Sequence, residues 1–185
     1  MTAVLTRRSR YLLHEPAPCD AEFAYLLGGA AAAPDHGGIR PWRWVLLRGE
    51  DREALGACLA SEAEPEQRDR IARKALRAPL MAALVFCPSA GHKIPEWEQM
   101  AAASSMAYGL MLLMHSRGYG SIWRTGRLCE SPGARDLLGL APTERLLGSL
   151  DIGTPDGTEP PARRRIGNLA DRISTLASRP VPAAT

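Results

Sequence analysis

Lysine is nearly missing from this chain. Only Lys74 and Lys93 occur, so 21 of the 23 basic residues are arginine. Genomic base composition produces such a bias, and so does a need for planar guanidinium forks that suit phosphate. Acidic residues lie among the basic ones and hold the formal net charge at +3, which argues against the concentrated basic face of a nucleic-acid binder. Aromatic residues are also scarce, at 5% of the chain. Ala and Leu carry the apolar load instead, which favours a helix-rich α+β or α/β domain over a β-sandwich. Cys19, Cys58, Cys87 and Cys129 are far apart with no C-x-x-C pair, so neither a disulfide framework nor a zinc site is indicated. No pair of ligand-type residues has metal-site spacing. The start, Met1 to Arg7, lacks the apolar core of roughly 7–15 residues that marks a signal peptide. Met100 to His115 carries no formal charge with His neutral, yet it is shorter than the ~20 residues of a membrane span. A soluble, cytoplasmic protein with no membrane partner is expected.

A length of 185 residues fits one domain or one subunit of a compact oligomer. Taken in order, residues 1 to 10 read as a short helix ending near Arg7-Arg8-Ser9-Arg10. Asp20 caps a helix running to about Ala33, with Phe23, Leu26, Leu27 and Ala30 on one face. Trp42 to Arg48 is a strand, and Asp51 to Ala60 a helix. A polar stretch from Ser61 to Asp69 precedes a helical turn or two over Ile71 to Leu76. Leu80 to Cys87 is a continuous apolar run bounded by prolines, which predicts a strand buried on both faces. Glu96 opens the longest helix, to Arg117. That helix is small-residue-rich over Ala101 to Gly109 and apolar all round over Leu110 to Met114, so it should sit at the centre of the subunit or of a dimer. Gly118 to Gly126 forms a turn, a short strand and a second glycine corner. Ser131 caps a helix with Pro132 at its first position, and Leu146 to Ile152 is the last strand. Asp156 to Pro161 is a linker, and Arg163-Arg164-Arg165 opens a polar tail of possible helical character, disordered past Ser178.

Two stretches could hold a ligand. Arg7-Arg8-Ser9-Arg10 is either a solvated basic end or a grip for a phosphate and a polar ring edge. Ala31 to Trp44 is a helix end, a Gly-Gly loop carrying His36 and Arg40, and a strand start within 14 residues. It is either a surface turn or a mount for binding groups.

Four pieces in this order and spacing resemble the nitroreductase family of flavin-dependent oxidoreductases, in its compact bacterial NAD(P)H nitroreductase form. They are Arg7-Arg8-Ser9; Ala33-Pro34-Asp35-His36 followed by Arg40-Pro41-Trp42-Arg43; His92 to Gln99; and Ile122-Trp123-Arg124-Thr125-Gly126. The similarity continues through Ile152-Gly153-Thr154-Pro155. The resemblance implies an α+β nitroreductase-like fold with a central, mostly antiparallel sheet flanked by helices. It also implies an interlocked homodimer with FMN at the interface. Residues 1–157 would form the flavin-binding domain. Residues 158–185 would form a tail that is partly disordered or wraps the partner. Arg7, Arg8 and Ser9 match the family's flavin grip, and His36 matches a contact to the partner's flavin. The family position often occupied by Arg is Ala32 here, with Arg40 or Arg163 to Arg165 as substitutes. Trp123, Arg124, Thr125 and Gly126 match a loop against the isoalloxazine ring, and Leu113 to Gly118 a region sometimes given to nicotinamide nucleotide. The implied activity is ping-pong transfer from NADH or NADPH through FMN to nitroaromatics, quinones or similar electron-poor acceptors, with no side-chain nucleophile. A flavin-consuming or dehalogenating relative, or a non-enzymatic flavin-binding protein, are the alternatives.

Overall fold

A computed structural model describes residues 2–157 and 162–176. Its centre is the strand β3 (Leu80–Phe86), in which every residue is buried, as the unbroken apolar run predicts. On one side β3 pairs antiparallel with β2 (Trp42–Leu47), and on the other with β5 (Arg145–Pro155). The far edge of β5 is shared. Residues 149–153 pair with β4 (Gly120–Arg124), and 154–155 pair with β1 (Leu13–His14), again antiparallel.

Alternation along β3 sends its side chains to two separate cores. Leu80, Ala82 and Leu84 pack with Phe23 and Leu26 of α2 (Asp20–Ala30) and with Met106, Leu110 and Met114 of α5 (Glu96–Ser116). Met81, Ala83 and Val85 pack on the opposite face with Leu55 of α3 (Gly49–Ser61), Leu128 of α6 (Arg127–Glu130) and Ala134 of α7 (Pro132–Leu137). The result is an antiparallel sheet between two helical layers, the α+β arrangement expected. The Ser131 cap also forms, its Oγ accepting from the Ala134 N–H at 2.9 Å.

Several local expectations change. The first helix, α1 (Thr2–Thr6), stops before the arginines. Ser9 instead bridges Ser121 in parallel, and the Arg10 N–H donates to the Ser121 carbonyl at 3.2 Å. Backbone groups that a helix would have satisfied are satisfied by a strand edge, which draws Arg7 to Arg10 along β4. The two-residue strand β1 was not legible, because two residues have no period. Helix begins earlier than expected after the polar stretch, with a 3-10 turn at Pro65–Gln67 and then α4 (Arg68–Lys74). The tail is not α-helical over 162–176. It holds one 3-10 turn, Ala170–Arg172, and is tied to α1 by the Arg164 N–H donating to the Leu5 carbonyl at 2.8 Å. The disorder expected past Ser178 lies outside the described residues.

Helix α5 is also not covered on all sides within one chain. Trp97 is 70% exposed and Tyr108 42% exposed, and Ala101 and Ser105 lie between them on the same exposed stripe. The spacing 97, 101, 105, 108 is one face of a helix.

The edge strand β2 is clipped down by one charged latch. The Arg43 guanidinium grips Glu144 in two bonds, Nε to Oε1 at 2.8 Å and Nη2 to Oε2 at 2.7 Å, and also donates to the Gly139 carbonyl. The Ala141 N–H and the Cys87 thiol donate to the same carboxylate. These bonds, Arg43 first, hold the Glu144 pKa down at about 2. A depressed carboxylate stabilises the fold above its ordinary range, and that stability fades as pH falls toward about 2. Glu144→Gln should cost on the order of 1–3 kcal/mol at pH 7, with allowance for the half-exposed Arg43, or about 3–10 °C in Tm. Thermal melts of both proteins from pH 7 to pH 2 check it: the gap should close on acidification, and a gap independent of pH counts against the latch.

Candidate functional site

The first group of expected site residues lies along β4. Because Ser9 pairs with Ser121, the segment Arg7 to Tyr11 runs beside the strand toward Arg124, whose guanidinium lies 5.8 Å from the Tyr11 ring centre. One strand edge therefore carries Arg7, Arg8 and Ser9 near its start and Trp123, Arg124, Thr125 and Gly126 at its end. Ser121 and Arg124 are three residue steps apart along the strand, roughly 10 Å.

The two arginines of the grip are not equivalent. Arg8 is committed to backbone carbonyls: Nη1 donates to Leu5 at 2.9 Å and Arg7 at 3.2 Å, and Nη2 to Ala162 at 2.7 Å. Arg7 is different, because its Nη1 is buried without a hydrogen-bond partner among the described residues. A buried guanidinium donor left unpaired is costly, and a phosphate oxygen is the kind of acceptor it lacks. Burial, then Arg164 and Arg8, push the Arg7 pKa down, with Tyr108 opposing. Burial first, then the charges of Arg7, Arg10 and Arg8, lowers the pKa of His115, whose Nε2 lies 2.7 Å from the Thr6 hydroxyl. His115, given no role from sequence, thus belongs to the surroundings of the grip. Ser9 is exposed.

At the other end of β4, a structural irregularity fixes the loop. The β3–β5 register slips between Leu84 and Val85, placing Leu147 in a bulge. The Leu147 carbonyl accepts from the Trp123 indole N–H at 3.0 Å. Trp123 is therefore a half-buried wall with its donor already used. Arg124 is paired through Nε with Asp151, which is 2% exposed, while Arg124 Nη2 and Asp151 Oδ1 are buried without partners among the described residues. Burial pushes the Asp151 carboxyl up and Arg124 pulls it down, with burial the larger effect. Thr125 and Gly126 are exposed, and Gly126 has φ 90°, the left-handed region that glycine adopts freely.

Trp123, Arg124 and Thr125 line a cleft of about 540 Å³ between β4 and α4. Gln67, Arg70, Lys74, Arg77, Arg127 and Ser149 add polar groups to its lining, and sequence reasoning missed all of them. One signal was available: 70, 74 and 77 are spaced as one helical face. A smaller cavity of about 390 Å³, lined by the His92 loop and Arg145, is separate from it.

His36 and Arg40 lie elsewhere. The Asp35 carboxylate accepts from the backbone N–H of Ile39 at 3.2 Å and Arg40 at 2.7 Å. That wrap sets Arg40 at φ 51°, rare for a residue with a side chain. The Arg40 guanidinium is exposed and makes no hydrogen bond or ion pair among the described residues. His36 Nδ1 is 2.8 Å from a Glu98 carboxylate oxygen, at the first turn of α5. The grip sits near Tyr108 and His115, 10 to 17 residues further along that helix, or roughly 15–25 Å at 1.5 Å per residue. Within one chain His36 and Arg7 do not share a site. Ala32 is exposed in the turn after α2 and offers no donor beyond its backbone.

Leu113 and Met114 pack into the α2–α5 core and do not reach the cleft. No group of three or more metal-ligand side chains forms among the described residues, and no described helix is long and apolar enough to cross a membrane. The four cysteines are free thiols. Burial and Glu144 push Cys87 up to about 11, which makes it a poor nucleophile.

Comparison with known proteins gives one result. The model of the Nitroreductase family matches residues 4–154. Putative NAD(P)H nitroreductase YdjA of Escherichia coli (strain K12) is 33% identical over 157 residues, covering 82% of this chain and 86% of YdjA. The crystal structure of a nitroreductase-like family protein from Bacillus cereus superposes with a TM-score of 0.82 at 24% identity, over 95% of this chain and 94% of that one. A mutant of NfnB, an FMN- and NADPH-dependent nitroreductase from sphigopyxis sp. strain HMH, superposes with a TM-score of 0.74 at 21% identity, over 94% and 97% of the two chains. These superpositions establish the shared fold.

Proposed function

The chain belongs to the nitroreductase family, and from that membership we propose that it is an FMN-dependent oxidoreductase using NADH or NADPH to reduce nitroaromatics, quinones or similar electron-poor acceptors. The observation that carries the flavin assignment is the orphaned Arg7 Nη1, a buried cationic donor with no acceptor among the described residues, on the same strand edge as the Trp123–Gly126 loop. In this reading Arg7 and Ser9 hold the phosphate end. Arg8 is the clamp that fixes their backbone and the tail. Trp123 walls the ring, Thr125 and Gly126 allow close backbone approach, and Arg124, braced by Asp151, faces the pyrimidine edge. When bound, FMN supplies the two-electron chemistry, accepting from the nicotinamide nucleotide and passing on to the acceptor in turn.

The same reading makes the working unit a homodimer. His36 and Arg40 cannot meet the grip of their own chain, but across a twofold axis they can reach the other chain's flavin. The free Arg40 guanidinium, held in a strained loop, supports that direction, since such strain concentrates at ligand clamps. The exposed stripe of Trp97, Ala101, Ser105 and Tyr108 on α5 is a face that a second copy would cover, and its small residues permit close helix approach. Arg40 would also supply the cation that Ala32 does not. The four unpaired cysteines suit a cytoplasmic location.

The test is the visible spectrum and mass of purified protein. It should run as a dimer, be yellow with one FMN per chain, bleach with NADPH or NADH, and recolour with a nitroaromatic while the FMN is recovered intact. A colourless protein that takes up no added FMN defeats the reading. A yellow protein that does not bleach leaves flavin binding without the enzyme, and degradation of FMN points to a flavin-consuming relative.

A further inference from the structure

The cleft beside the Trp123–Gly126 loop is charged far beyond what a flavin requires. Arg70, Lys74, Arg77, Arg124 and Arg127 line it and no carboxylate is among its described lining residues; Asp151, bonded to Arg124, is buried. Arg70, Lys74, Arg77 and Arg127 form no ion pair with any described residue. They come from two separate elements, α4 with its following turn and the start of α6, so no single helix face explains their convergence. Their repulsion is felt: after burial, the charges on Arg70, Arg77, Arg124 and Arg127 are what lower the Lys74 pKa. The floor is unfinished as well. Ser149, 1% exposed and lining the cleft, has a buried Oγ without a partner among the described residues, and Arg124 Nη2 is in the same condition.

Resting on the flavin reading above, FMN accounts for little of this. Its one phosphate belongs at the Arg7 end of β4, and its ring needs at most the single cation Arg124. We propose that the cleft binds a second, anionic ligand next to the flavin, with Arg70, Lys74 and Arg127 gripping a carboxylate or phosphate and Ser149 hydrogen-bonding at the floor. The physical sense is selection by charge. Exposed cations gathered around a concave, partly apolar site raise the local concentration of anions and discriminate against neutral molecules of the same shape. The anionic group can arrive on the electron acceptor or on the nicotinamide nucleotide, whose 2′-phosphate distinguishes NADPH from NADH.

The experiment compares the FMN-loaded wild type with Arg70→Gln/Lys74→Gln/Arg127→Gln, changes confined to exposed side chains. The acceptors are 4-nitrobenzoate and its neutral counterpart 4-nitrobenzamide. The carboxamide withdraws electrons more strongly, so intrinsic reactivity favours the neutral compound, and preference for the anion has to come from the protein. Three ratios are read: kcat/KM for the two acceptors, kcat/KM for NADPH against NADH with the neutral acceptor, and the calorimetric Kd of 4-nitrobenzoate on oxidised protein without nicotinamide. The wild type should favour the anion in one of the two kinetic ratios by roughly tenfold or more. Added salt should erode the preference, and the triple variant should lose it while keeping its FMN. Loss of the nitrobenzoate preference, with weaker calorimetric binding, identifies the acceptor as the anion. Loss of the NADPH preference alone identifies the donor. Unchanged ratios overturn the proposal, and so does release of FMN by the variant, which would make these residues part of the flavin grip. If the wild type itself takes up no FMN, the flavin reading has failed instead. Inorganic pyrophosphate titrated into wild-type and variant protein then tests the cleft alone, and equal or absent binding overturns the anion site.

Discussion

Arg7→Gln should weaken FMN binding by on the order of 10- to 100-fold, whereas Arg8→Gln should weaken it far less. The difference comes from what each guanidinium already does. Arg7 has a buried donor without a partner, and a charge-assisted hydrogen bond to phosphate contributes about 1.5–3 kcal/mol. Arg8 donates three bonds to carbonyls of Leu5, Arg7 and Ala162, so it has little left for a ligand. Its loss should instead loosen the tail, which the Arg164 backbone N–H otherwise holds to Leu5 and the Arg164 side chain to the Arg7 carbonyl. The double variant should therefore bind FMN little worse than Arg7→Gln alone. Fluorescence titration of FMN into the apoproteins measures all three affinities, with limited proteolysis reporting the tail. Equal losses for the two single variants would show that the partition between ligand donor and backbone clamp is wrong.

Gly148→Ala should be the most damaging single methyl in the sheet. Gly148 has φ 119°, and a Cβ there would lie 2.2 Å from the Arg124 carbonyl oxygen and 2.7 Å from the Trp123 indole nitrogen. The first neighbour is backbone of the paired strand and cannot rotate away. Overpacking of about 1–3 kcal/mol adds to roughly 1–2 kcal/mol for a side chain in left-handed backbone, so about 2–5 kcal/mol is expected. For a domain of this size that is on the order of 5–20 °C in Tm. The bulge at Leu147 and the glycine after it hold the Trp123–Gly126 loop where the flavin ring is proposed to lie, as bulges beside functional sites commonly do. FMN affinity should fall together with Tm. Gly28→Ala is the control, since a Cβ at Gly28 meets nothing within 4 Å. If Gly148→Ala melts within a degree or two of wild type and binds FMN normally, the close approach of β4 to β5 has no such role.

Much of the fold was legible because it rests on short-range rules. The apolar run at Leu80 to Phe86 had to be a doubly buried strand. Ser131-Pro132 had to start a helix, and Glu96 to Arg117 was long enough to show its type despite few polar residues. The errors fall where backbone hydrogen bonds go to distant partners. Arg7 to Arg10 looked helical, yet the Ser121 strand edge claimed that backbone. Which face of α5 its own chain leaves open, the stripe through Trp97 and Tyr108, was not legible either, because composition counts apolar residues but not which neighbours cover them.

The site divides along the same line. The sequence alone determined the residue types and their order: an arginine pair before a serine, a Gly-Gly corner with His36 and Arg40, and a glycine-ended loop at Trp123 to Gly126. It could not rank Arg7 above Arg8, because the distinction depends on the Ala162 carbonyl, 154 positions away in sequence. Nor could it collect Arg70, Lys74, Arg77, Arg124 and Arg127 into one cleft, because charges scattered over nearly 60 positions become a field only when α4, β4 and α6 are packed around the same floor. Local pattern specifies what a segment is. Which segments share a site depends on long-range strand pairing, and only the tertiary structure decides that.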